Sequence, residues 1–152
     1  MVGVAVERQG IIRHGAKMIA AMASAEVPKF TIVLRKAYAA GYYAMCAPGF
    51  EPRATIALPS AAIGAMGPEA STNAVYAGKI AAIEDEDERA EFVAARTAEQ
   101  RADVNLLRMA SDLVVDAVVP GEQLRAELLA RLRHADGWTR SGPRRHHLVS
   151  PV

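Results

Sequence analysis

Cysteine is almost absent from these 152 residues. Cys46 stands alone, which excludes an internal disulfide framework and fits a reducing compartment. Excess charge of one sign is also missing. The 18 basic and 17 acidic side chains leave a formal +1, so no global field draws in nucleic acid or an anionic membrane. Long apolar runs are lacking as well. The most apolar window, "GIIRHGAKMIAAMASAEVP", is interrupted by Arg13, His14, Lys17 and Glu26 and does not span a bilayer. The first ten residues carry Glu7 and Arg8 and lack the apolar core of a signal peptide, so a cytoplasmic location is expected. GxGxxG and GxxxxGKS/T are absent, which leaves the common nucleotide cradles unsupported. GxSxG, HExxH and CxxC are absent too, and no metal site is expected.

What is present suits one domain, or part of one. Apolar residues make up 51% and charged residues 23%, far from the balance of a disordered chain. Ile11, Ile12, Ala16, Ile19, Ala20 and Ala23 recur at helical spacing, and Pro28 ends that helix. "KFTIVLR" (29–35) predicts a short buried strand, and "AAGYYAMCA" a short helix closed by Pro48-Gly49. "ATIAL" (54–58) and "AAIGAM" (61–66) predict two strands around Pro59. Gly67-Pro68 opens a helix whose start Glu69 favours.

The segment 84–110 predicts a helix with its acidic block at the start, either a docking patch or a solvated first turn. "DLVVDAVV" (112–119) predicts a strand, followed by the helix "EQLRAELLARLRHA". From Asp136 to the end, 136–152, the residues predict a basic tail, and His146-His147 beside Arg144-Arg145 is either tail or a metal or phosphate site. The order of elements predicts an α/β fold.

The stretch "RKAYAAGYYAMC" (35–46) is the least ordinary. A strand running into a helix start offers free backbone N–H groups, concentrated by the helix dipole. Small residues at Ala39, Ala40 and Gly41 would let a ligand oxygen approach those donors, as in an oxyanion hole. The same small residues also suit close packing of helix on sheet. No Ser nucleophile and no paired carboxylates lie nearby, and the only Cys is at the far end of the stretch.

"ERQGIIRHGAKMIAAMASAEVPKFTIVLRKAYAAGYYAMCAP" resembles the C-terminal half of the carboxyltransferase subunit of biotin-dependent acyl-CoA carboxylases. The shared marks are Gly10 to Lys17, Val27 to Lys29, Arg35-Lys36 with Ala39 to Gly41, Met66-Gly67, and a closing segment matched at Asp116, Pro120 and Arg125. The resemblance runs in consistent order over residues 1–135. It implies a crotonase-like superhelix of β-β-α turns, biotin carried on a partner, and acyl-CoA as substrate. Carboxyl passes from carboxybiotin to the acyl group, with developing oxyanions held by backbone N–H pairs; the protein supplies orientation and donors.

By matching, the biotin-side donors are the N–H groups of Ala40 and Gly41, with Ala39 completing the turn. Tyr38, Tyr42 and Tyr43 either line the biotin or acyl pocket or fill core. His14 and Lys17, on a helix facing that region, either touch ligand or serve surface and dimer packing. Met66 and Gly67 join the cofactor-binding set. The implied partners are a biotin carboxylase and biotin carrier, a first-half carboxyltransferase domain, and further copies of the chain.

Ala39 stands where many members carry Gly, Leu58 where many carry Trp, and Tyr43 where small-acyl members carry Asp. "AMGPEASTNAVYAGKIA" is similar to the methylcrotonyl-CoA carboxylase and glutaconyl-CoA decarboxylase branches. Met1-Val2-Gly3 resembles an interior stretch of the family, which implies that the CoA-holding first half is missing and that the isolated chain is inactive. The competing expectations are the carboxyltransferase subunit of a biotin-dependent decarboxylase and a non-catalytic oligomerisation fragment.

Overall fold

The computed structural model describes residues 3–103 and 105–138. Two helices open it, α1 (Val4–Arg8) and α2 (Ile11–Ser24), joined at Gly10, whose φ of 84° favours a residue without Cβ. The extended stretch around Pro28 leads into β1 (Phe30–Val33), where Thr31 and Val33 are buried and Phe30 and Ile32 half-buried.

The chain then changes sheets. The predicted strand over 29–35 is in fact β1 followed, after Leu34 and Arg35, by a separate strand β2 (Lys36–Tyr38). Three bonds hold the crossing. Leu58 N–H donates to the Val33 carbonyl at 3.0 Å, Ser60 Oγ to the Leu34 carbonyl at 2.8 Å, and Ala62 N–H to the Arg35 carbonyl at 2.7 Å. After β2 comes α3 (Ala39–Ala44).

The same sequence of elements then repeats: β3 (Ala54–Ala57), β4 (Ala62–Gly64) and α4 (Pro68–Val75). β3 lies parallel to β1 with Phe30 opposite Ala54, and β4 lies parallel to β2 with Lys36 opposite Ala62. Two β-β-α turns are thus stacked, each giving one strand to each of two sheets. Every residue of β3 is buried, as a strand covered on both faces requires.

Helices α5 (Ala77–Ala82) and α6 (Glu86–Asp103) follow, then α7 (Leu106–Ser111). The continuous helix predicted over 84–110 is divided, because Asn105 caps α7 by accepting from Leu107 N–H at 2.9 Å and Arg108 N–H at 3.2 Å. The acidic start of α6 is engaged locally, where Asp85 Oδ1 accepts from Glu88 N–H at 2.8 Å. α6 lies along α4, joined through the Thr97 and Thr72 hydroxyls at 3.3 Å and through Ser71 Oγ, which donates to Gln100 at 2.9 Å.

The predicted strand 112–119 shrinks to β5 (Ala117–Val118). Leu113 takes a left-handed φ of 58°, and the N–H groups of Val114 and Val115 turn back to the Met109 carbonyl. β5 pairs with β3, giving the parallel order β1-β3-β5. Asp116 fastens this edge twice. Its N–H donates to the Thr55 carbonyl at 2.8 Å, and its Oδ2 accepts from Thr55 N–H at 2.7 Å. Val33, Ala57, Ile63 and Val115 form the core between the sheets, with Tyr42 packed against them.

The last described helix, α8 (Leu124–His134), leads to Trp138, whose ring lies 5.2 Å from the Arg53 guanidinium carbon. Residues 139–152, with the Arg144 to His147 cluster, fall outside the described residues. Among those described, no helix is long and apolar enough to cross a membrane, and no group of His, Cys, Asp and Glu is placed to hold a metal ion.

Candidate active site

The site begins where β2 becomes α3. Tyr38 is extended, with φ −119° and ψ 142°, and Ala39 turns the chain with φ 50°. That left-handed conformation costs an L-residue about 1–2 kcal/mol and is where glycine is at ease. Ala40 and Gly41 are the second and third residues of α3, so their N–H groups belong to the first turn and have no acceptor within the helix. Ala39 and Ala40 are exposed and Gly41 is half-buried. The corner therefore presents donors to solvent on one side. On the other, Gly41 borders a cleft of about 540 Å³ walled by Lys36, Tyr38, Tyr42 and Met45.

The three tyrosines part company. Tyr38 borders both this cleft and a second one of about 330 Å³ walled by Arg35, Lys36, Ser60, Glu69 and Arg101. Tyr42 turns inward, and its hydroxyl is buried with no hydrogen-bond partner among the described residues. Burial, and secondarily the nearby Cys46 thiol, pushes its pKa above the usual tyrosine value, so it stays neutral at ordinary pH. Tyr43 turns toward the Pro48–Phe50 turn and meets the Phe50 ring edge-on, with centroids 4.9 Å apart.

His14 and Lys17 are exposed on α2, which packs along α3. Met66 is half-exposed, and Gly67 lies directly against the Tyr38 ring. Cys46 is buried, and its carbonyl accepts from Thr31 Oγ1 at 2.6 Å. Sequence reading missed the second cleft. The Arg101 guanidinium donates to Glu69 and holds its carboxyl below the usual range, but the two residues are 32 apart and no local pattern announces the pair.

A carboxyl transferase domain model matches residues 1–149. The chain belongs to the carboxyl transferase domain family. It is 51% identical over 152 residues to "Uncharacterized carboxylase YngE" of Bacillus subtilis, covering all of this chain and 30% of that protein. The transcarboxylase 12S crystal structure, a hexamer solved with methylmalonyl-coenzyme A and methylmalonic acid, superposes with a TM-score of 0.84 at 35% identity. That match covers the whole chain and 29% of the 12S chain. The geranyl-CoA carboxylase beta subunit of P. aeruginosa gives 0.71 at 29% identity, over the whole chain and 33% of that subunit. The carboxyl transferase domain here is thus crotonase-like, as its two stacked β-β-α turns indicate, and it spans about 30% of the relatives' length.

Within this family the turn at Ala39 invites a direct test. Ala39→Gly is expected to stabilise the domain by about 0.5–1 kcal/mol. It relieves left-handed strain of about 1–2 kcal/mol, offset by glycine's added chain entropy of about 0.5–1 kcal/mol. The urea midpoint should rise at unchanged m-value. A midpoint at or below the parent's would show that Ala39 is not strained.

Proposed function

We propose that this chain is the biotin-side half of a carboxyltransferase that moves a carboxyl group from carboxybiotin to an acyl-CoA. The observation that carries the reading is the corner itself: Ala39 at φ 50° turns a strand into a helix whose Ala40 and Gly41 N–H groups have no acceptor within the helix, and Gly41 borders a cleft of about 540 Å³. The cleft suits a flat ring that carries a carboxylate, because Tyr38 and Tyr42 give it aromatic surface and Arg35 and Lys36 line it with positive charge. Biotin supplies the activated carboxyl group when bound.

The chain's own residues do the rest. Ala40 and Gly41 donate to an oxygen that gains negative charge, where fixed donors act without reorganising. Tyr38 and Tyr42 orient the ring. His14 and Lys17 stand on the neighbouring helix, where a partner half would meet them. In this reading the chain works in the cytoplasm with a biotin carboxylase, a biotin carrier and a CoA-holding half, and it assembles with further copies of itself.

Exposed apolar side chains support assembly. Ile12, Val27, Met45 and Leu107 are each at least 65% exposed, on or beside helices that would gain by being covered. The chain alone is therefore expected to form dimers or larger species and to transfer no carboxyl group. Mixed with a CoA-binding half from a related carboxyltransferase, it should move label from carboxybiotin to acyl-CoA. Light scattering and a radiolabel transfer assay read the two outcomes. A monomer at high concentration with full activity of its own would overturn the reading, as would a well-formed mixed complex that transfers nothing.

A further inference from the structure

Gly67 has no conformational reason to be glycine. Its φ of −67° and ψ of 151° are open to any residue. Space is what requires it. A Cβ at position 67 would lie 3.2 Å from Tyr38 Cε2, 3.6 Å from Cζ and 3.8 Å from Cδ2. Carbon atoms rest about 3.5–4.0 Å apart, so the ring would have to yield.

The backbone that carries the ring is fixed, so the ring moves only by turning or by taking the corner with it. Tyr38 is the last residue of β2 and is held in register opposite Gly64 on β4, another position with no side chain. The next residue, Ala39, makes the left-handed turn. Gly67 in turn is the residue before α4, so the ring spans from the start of α3 to the start of α4, joining the two stacked turns at their corners.

The geometry points to Tyr38 as a positioning residue: its ring, seated on the bare face of Gly67, fixes the Ala39–Gly41 corner. Gly67 serves by lacking a side chain rather than by touching a ligand. The inference rests on the corner's proposed role in carboxyl transfer, but its structural half is testable without any turnover.

Hydrogen exchange of the Met45 amide, which donates to the Gly41 carbonyl at 3.3 Å and to the Tyr42 carbonyl at 3.2 Å, reports the corner and its helix, and the Leu58 amide reports the sheets. Tyr38→Leu and Gly67→Ala should each speed Met45 exchange about tenfold with Leu58 unchanged. Tyr38→Phe, which keeps the ring, should match the parent. Gly67→Ala added to Tyr38→Leu should change nothing further, because the ring it displaces is gone. Unchanged Met45 exchange in Tyr38→Leu overturns the proposal even if Gly67→Ala fails to fold, and so does equal loosening by Gly67→Ala with leucine at 38.

In the mixed assembly, Gly67→Ala should lower kcat roughly tenfold at unchanged KM for acyl-CoA, part of the about 10²-fold that a misplacement of about 1 Å costs. A loosened corner with parental kcat overturns the positioning role. An assembly in which even the parent chain transfers nothing removes the proposed function, and the exchange results then decide the seating of Tyr38 by themselves.

Discussion

Gly41→Pro is expected to lower carboxyl transfer by roughly 10²–10³, equivalent to about 2.7–4 kcal/mol of transition-state stabilisation, in an assembly that contains the parent partner half. Proline deletes the N–H of residue 41 and nothing else that reaches the cleft. Its ring is tolerated in the first turn of a helix, where Gly41 sits. Proline also disfavours helical geometry at the preceding residue, Ala40, so circular dichroism and a melting curve must first show the variant folded. Gly41→Ala keeps the donor. Gly41 lies within α3 and is not among the described glycines of positive φ, so alanine meets no backbone strain there. The alanine variant should lose far less than the proline variant. Near-parental turnover in folded Gly41→Pro would show that no donor acts at residue 41, leaving close packing as the reason for its small size.

The largest expected loss of stability lies elsewhere, at Ile56→Ala. Ile56 is wholly buried on the central strand β3, opposite Ile32 on one side and Ala117 on the other. Its neighbours Ala54 and Ala57 are also fully buried and too small to move into the gap. Removing its branched side chain is expected to cost about 2–5 kcal/mol, a large part of a typical domain's margin. Ile12→Ala is the control. Ile12 is 77% exposed and should change stability by no more than about 0.5 kcal/mol. Urea denaturation of both variants settles the comparison. A loss below about 1 kcal/mol at Ile56 would mean that the interior repacks, contrary to a tightly filled β3.

The sequence made some of this legible and hid the rest for physical reasons. Helical spacing from Ile11 marks α2, because periodicity acts locally, although the helix ends at Ser24, with Ala25 already extended, short of the stop expected at Pro28. The corner at Ala39 to Gly41 is visible as small residues between a β-rich run and a helix. The break inside "KFTIVLR" is not visible, since Leu34 is as apolar as its neighbours. The strand ends at Val33 because Leu58, Ser60 and Ala62 bond to carbonyls on either side of the crossing. The run "DLVVDAVV" misleads in the same way. Its valines have strand propensity, yet the Met109 carbonyl draws Val114 and Val115 into a turn. Tyr38, Tyr42 and Tyr43 look alike in sequence, and only the positions of Gly67, the core cluster and Phe50 send them in three directions.

The link between Thr55 and Asp116 joins residues 61 apart in the chain. The bonds from Leu58, Ser60 and Ala62, by contrast, connect the adjacent turns across about 25 residues. Closing the longer loop sacrifices more chain entropy before any contact rewards it. β5 is therefore expected to be the last strand to dock during folding. Until it does, β3 shows one open edge of a buried, apolar strand, a template for another chain's strand. Pulse-labelled refolding should find the Leu58 amide protected before that of Asp116, with aggregation greatest in the interval between them. Simultaneous protection of both amides would mean that the whole sheet forms in one step.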